Sequence, residues 1–185
     1  MSTRLSKTTM TKLQDILSTP GKRHFMPSSV IACEKFEVQN PRLRLTMAAT
    51  RFRAAIEQCN PNLLSGRLQE FPDGSDGDAV PLLGAYLADQ GFGDFQFMIG
   101  HRRDDSPHGR HTHAWLEDDG LIVDITADQF PEVDQKVIVT RHSDWHATFE
   151  CEEPKHPADF RNFDQETATR LKFSYAAILD EIARL

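Results

Sequence analysis

Three side chains set the chemical possibilities of this sequence. They are Asp76, in the turn Phe71-Pro72-Asp73-Gly74-Ser75-Asp76-Gly77-Asp78-Ala79; His113, in His111-Thr112-His113-Ala114-Trp115-Leu116-Glu117; and Asp124, in Ile122-Val123-Asp124-Ile125-Thr126. A histidine oriented by a carboxylate is a general base, because the carboxylate fixes the ring tautomer and stabilises the imidazolium that forms. Asp119-Gly120 between two strand-like runs is a type I′ hairpin signal. A two-residue loop pairs Asp118 with Leu121, hence Trp115 with Asp124. His113, Trp115, Ile122 and Asp124 then share one face, and Ala114, Leu116, Leu121, Val123 and Ile125 the other. His113 and Asp124 lie on a diagonal of about 7–8 Å that their side chains can close.

Each of these residues also has a plain structural use. A His/Asp pair on neighbouring strands is often only a hydrogen bond, and Asp76 suits a helix N-terminus, where exposed N–H groups and the dipole favour negative charge. Ser75 with Asp78 three residues on has the form of a capping box. His108, His111 and His113 with Asp124 or Asp128 form a possible metal cluster, but their spacing matches no standard zinc signature.

The elements that must position the site follow from periodicity. Residues 6–18 read as a short amphipathic helix stopped by Pro20-Gly21, and 42–59 as a helix with Leu45, Ala48, Phe52, Ala55 and Ile56 on one stripe. The helix after the Asp76 turn carries Ala79, Leu82, Leu83, Tyr86 and Leu87 on one face and ends near Gly91. Pro81 lacks an N–H and fits only an opening turn, which moves the expected helix start toward Asp78. Residues 95–99, 111–118, 121–126 and 136–141 read as strands and 163–184 as a closing amphipathic helix; 101–110 and 152–161 read as polar loops. Helices first and an antiparallel sheet after them predict an α+β fold.

Composition excludes several classes. The chain has 185 residues, 39% hydrophobic and 26% charged, with a net charge of −7, which suits one soluble domain and argues against a nucleic-acid groove. No apolar run approaches the roughly 18 residues of a membrane span, and no secretory h-region opens the sequence. Cys33, Cys59 and Cys151 are odd in number, lack metal-type spacing and occupy no helix-opening turn, so reduced structural thiols are expected.

Taken together, Phe-Pro-x-Gly-x-Asp76-Gly-Asp-Ala, the Leu82-Leu83 helix with Tyr86-Leu87, His113-x-Trp-Leu-Glu and Asp124-x-Thr-Ala-Asp-Gln-Phe130 resemble bacterial proteins of the papain-like/transglutaminase-like cysteine hydrolase superfamily. The match covers about residues 69–130. The resemblance implies a single papain-like domain, 1–185, with an N-terminal helical part (1–68), a catalytic-type core (69–145) and a loop with a C-terminal helix (146–185). It places Asp76 at the nucleophilic cysteine, His113 at the general base, Asp124 at the orienting residue and Gln69 at the oxyanion-hole glutamine. The superfamily's chemistry is acyl transfer at an amide carbonyl.

Asp76 is the departure. A carboxylate is a poor nucleophile toward an amide and the anhydride it would form is unstable, so Asp76 pairs with an imidazolium rather than attacking. The expected function is a pseudoenzyme that binds a peptide or protein in the old cleft, with no cofactor, metal, nucleic acid or membrane, in the cytoplasm or exported as an effector without a classical signal. Two alternatives stay open. One is an active amide hydrolase, deamidase or transamidase, with cysteine at position 76 or Ser75 as nucleophile. The other is a metal-assisted hydrolase in which Asp76, His113 and Asp124 are ligands, since a carboxylate hardens the site toward oxygen-preferring ions.

Overall fold

A helix that is apolar on every side has to be central, and the run Ala79–Leu87 builds one: all nine of its residues are buried, not the single face expected from periodicity. A computed structural model describes residues 40–103, 109–152 and 156–185, which lie in one compact unit, Asn40–Leu185; the helix expected over 6–18 lies outside the described residues. Three α-helices are described: α1 (Pro41–Gln58), α2 (Asp76–Asp89) and α3 (Gln165–Ile182). Asn40 caps α1 by accepting from Leu43 N, with Pro41 opening the first turn; Asp164 caps α3 by accepting from Glu166 N and Thr167 N. Leu45, Ala49, Phe52, Ala55 and Ile56 of α1 and Leu171, Tyr175, Ile178 and Ile182 of α3 turn inward to join α2 in the main core.

The start of α2 corrects two expectations. The helix begins at Asp76, not Asp78, because Asp78 N and Ala79 N both bond to Ser75 O, at 3.0 and 2.8 Å, and close the first turn ahead of Pro81. Pro81 forfeits only a bond to the carbonyl of Gly77, an exposed residue that water can satisfy. The capping box does not form: Ser75 Oγ donates to Pro72 O at 2.9 Å, and Asp78 takes both arms of Arg170 at 2.6 and 2.8 Å.

The strands are β1 (Gln96–Arg103), β2 (Arg110–Asp118), β3 (Leu121–Asp124), β4 (Ile138–Thr140), β5 (Glu150–Cys151) and β6 (His156–Pro157). They form one antiparallel sheet in the order β4-β3-β2-β1-β5, with β6 also paired to β1. The α+β class is thus as expected. The segments read as loops contribute more order than expected, since 101–103 and 110 extend the β1–β2 hairpin and β6 lies within 152–161. The β2–β3 register is the one the turn dictates, Asp118 opposite Leu121 and Leu116 opposite Val123, with positive φ at both Asp119 and Gly120. Ala114, Leu116, Val123, Ile125 and Val139 face the helices, while Met98, Trp115 and Ile122 on the opposite face cluster with Phe130 and Phe149. Gly84 brings α2 close to the 156–158 segment; a Cβ there would sit 1.8 Å from Ala158 O.

Candidate functional site

β2 runs past the end of β3, so its 110–114 stretch has no β3 partner and its backbone is available to the start of α2. Asp76, the first residue of α2, fills that position: its Oδ2 accepts from Ala114 N at 2.8 Å and lies 3.2 Å from His113 Nδ1. The other ring nitrogen, Nε2, lies 2.7 Å from Asp124 Oδ2. The helix start, the strand and the end of the next strand therefore place one imidazole between two carboxylates. His113 and Asp124 are fully buried and the Asp76 side chain is 15% exposed, so the site meets solvent on the Asp76 side.

Asp124 is the most tightly held of the three. Its Oδ1 accepts from Thr126 N at 2.8 Å and Thr126 Oγ1 at 3.2 Å, and its Oδ2 also takes His146 Nε2 at 3.0 Å. His146 sits in the single turn His146–Thr148, and its Nδ1 lies 2.7 Å from Ser143 Oγ. Burial works against both charges. It pushes the His113 pKa down, but the charge and hydrogen bond of Asp124, followed by Asp76, outweigh it and raise the imidazole to about 9. Burial likewise raises Asp124, yet His113 and then His146 hold its carboxyl well below the usual range.

An aromatic wall surrounds the imidazole. His113 stacks on Trp115 at 5.8 Å and meets Phe130, Trp145 and Phe149 at 5.3, 5.3 and 5.9 Å between ring centroids. Gly100, opposite His113 in the β1–β2 register, makes room for it, because a Cβ there would come within 2.7 Å of Phe149 Cβ and 2.8 Å of the Trp115 ring. Arg102 caps this wall, 4.9 Å above the Phe149 ring and paired with Glu132.

Asp76, His113 and Asp124 are thus brought together. Gln69 is not: it is exposed, and its amide donates to Leu64 O at 2.7 Å. The glutamine beside the imidazole is Gln129, whose Oε1 accepts from Gly74 N at 3.0 Å and whose Nε2 donates to Thr126 O at 3.0 Å. Its Nε2 is also 3.3 Å from His113 Nδ1, but a protonated Nδ1 can only donate, and Asp76 is its acceptor. Ser75 is fully buried with its hydroxyl committed to Pro72 O, so no hydrogen bond joins it to His113.

Among the described residues, neither metal grouping considered from the sequence comes together. Asp128 is held bidentately by the buried Arg53 at 2.6 and 2.8 Å, and His108 lies outside the described residues. Asp76 and Asp124 flank opposite ring nitrogens of His113, so no one ion can take all three as ligands. The set that does converge is His113, Asp124 and His146, with one ligand atom from each within 4.8 Å of the others. His146 carried no periodic or motif signal; the only hint was a Ser143-x-Trp145-His146-x-x-Phe149 run with two aromatics in an otherwise polar stretch.

Among the described residues no helix is long and apolar enough to cross a membrane. No family model matches this chain, and no solved structure matches it either. The uncharacterized protein YuaU of Escherichia coli (strain UTI89 / UPEC) is 31% identical to it over 91 residues, which cover 47% of this chain and 42% of YuaU. The matched stretch spans less than half of either protein, and the function of the site is read from its geometry.

Proposed function

We propose that this chain is a papain-like scaffold in which position 76 no longer carries a nucleophile, and that it binds a peptide or protein at the surface beside Asp76 instead of cleaving an amide. One observation carries the reading: residue 76 opens a buried helix and points its side chain at the free nitrogen of a histidine whose other nitrogen is held by Asp124. That arrangement suits a thiolate, which a helix N-terminus and an imidazolium both stabilise. Asp76 uses the same position differently, because its Oδ2 is spent on Ala114 N and His113, and a carboxylate so engaged is no acyl acceptor.

Asp76→Cys tests the reading. The introduced thiol is expected to alkylate with iodoacetamide at pH 7 about tenfold or more faster than Cys33, Cys59 or Cys151, since an ordinary thiol of pKa about 8.5 is only a few per cent thiolate there. In a His113→Ala background that excess reactivity disappears. Site-resolved mass spectrometry measures both, with circular dichroism confirming that the variants fold. Labelling at position 76 no faster than at the three native cysteines, and indifferent to His113, overturns the reading of position 76 as a former nucleophile site.

A further inference from the structure

We propose that His113 Nε2, His146 Nε2 and Asp124 Oδ2 form a binding site for a first-row divalent cation of the zinc type. The ligands come from β2, the end of β3 and the His146–Thr148 turn, and all three residues are buried. Asp124 Oδ2 lies 2.7 Å from one imidazole Nε2 and 3.0 Å from the other. Ligands at about 2.05 Å from one ion are about 2.9 Å apart at a right angle and about 3.3 Å apart at a tetrahedral one. Both carboxylate–imidazole separations fall within a few tenths of an ångström of the right-angle value, the two imidazole nitrogens lie within 4.8 Å of each other and draw together to seat the ion, and two imidazoles with one carboxylate are a donor set that first-row ions favour.

The partners behind the ligands argue more strongly than the ligands do. A metal-bound histidine uses one nitrogen and donates the other N–H to a group that fixes its orientation. Asp76 stands at His113 Nδ1 at 3.2 Å and Ser143 Oγ at His146 Nδ1 at 2.7 Å, so both rings present Nε2 inward with Nδ1–H satisfied. Asp124 Oδ1 is held by Thr126 N and Oγ1, leaving Oδ2 for the ion. The carboxylate at position 76 thereby acquires a use that a thiol would serve poorly, since a carboxylate is the stronger acceptor for Nδ1–H. Binding releases the Nε2 protons and staples the 125–149 segment to the sheet. This inference does not rest on papain-like ancestry: it concerns the Nε2 side of His113, whereas alkylation of Asp76→Cys reports on the Nδ1 side.

The test uses the full chain without a histidine tag, stripped with EDTA and titrated with zinc chloride by calorimetry and with cobalt chloride by visible absorption. One tight equivalent is expected, with cobalt ligand-field bands and a melting temperature that rises with metal concentration. Asp124→Asn and His146→Ala should weaken binding at least about 100-fold and Asp76→Ala, which removes a supporting partner, about 10–100-fold. His142→Ala, on an exposed residue, should change nothing. Absence of stoichiometric binding, or affinity unchanged by His146→Ala, overturns the proposal. Should His146→Ala fail to fold, His146→Gln replaces it, and long-range proton–nitrogen spectra of the wild type decide the ligands directly. Zinc that leaves the Nε2 resonances of His113 and His146 unmoved overturns the site.

Discussion

On the helical face of the sheet, Ala114, Leu116, Val123, Ile125 and Val139 join a buried hydrocarbon core with α1, α2 and α3. One residue along the same strands, His113 and Asp124 face the other way and are buried just as completely, together with Trp115 and Ile122. Apolar burial stabilises without direction, at roughly 25 cal/mol per Å² removed from water, and tolerates swaps of similar volume. A buried ion pair contributes little net stability against a hydrocarbon of the same shape, because desolvation offsets its attraction, yet it is costly to break on one side only. The helical face therefore makes the fold, and the opposite face spends part of that stability on a fixed arrangement of charge. Investment of that kind is expected where function sits.

Breaking the charged face should produce the larger loss. Asp124→Ala leaves His113 Nε2, His146 Nε2, Thr126 N and Thr126 Oγ1 without their acceptor, at a cost of about 3–5 kcal/mol in urea denaturation. On the helical face Leu116→Ala removes a fully buried side chain from hydrocarbon, for about 2–5 kcal/mol. The two variants separate on pH more clearly than on size. The Leu116→Ala loss should be the same at pH 6 and pH 9, whereas Asp124→Ala should flatten the wild-type dependence over that interval. Identical pH profiles for the two would erase the distinction between the faces.

The difference between the faces also decides what could be read from sequence. Alternation along β2 and β3 and the Asp119-Gly120 turn fix a register in which one-residue slips are penalised on both faces, so the meeting of His113 with Asp124 was legible from local pattern alone. Asp76 was legible as a helix opener, although Pro81 misled about where the helix starts, because its cost depends on whether the orphaned carbonyl is exposed. The partners of the site were not. His146 and Gln129 sit on single turns and Ser143 in the loop ahead of one, where no period links residue to direction, and they reach the site through loop geometry. The turn that carries Gln129 is placed partly by Arg53, a guanidinium buried amid the apolar positions of α1 that bonds Ile125 O, Lys136 O and Asp128. Gln69 and Gln129 show the same limit: distance along the chain favoured the first, and the loop delivered the second.

The smallest effect, and the one that sharpens the comparison most, is the pH dependence of His113 in EDTA-treated protein, where no cation competes for Nε2. Its folded pKa of about 9 lies above the ordinary 6.5, so the folded state binds this proton more tightly than the unfolded chain does. The stabilisation is complete below pH 6.5 and is lost as pH rises through 9. Asp124 has the opposite sign: its lowered pKa gives stabilisation that is present above the ordinary 3.8 and lost as pH falls through the folded value. The pair is thus strongest from about pH 4 to 6.5, and unfolding free energy should decline from there toward pH 9. His113→Gln, which keeps polar atoms at the position but carries no titrating proton, should remove that decline. Proton NMR on the ring should give a midpoint well above 6.5 in the wild type. A midpoint below 6.5 would mean that burial outweighs the two carboxylates and that His113 is held neutral, which would take the imidazolium out of the second face and leave Asp124 held there by hydrogen bonds alone.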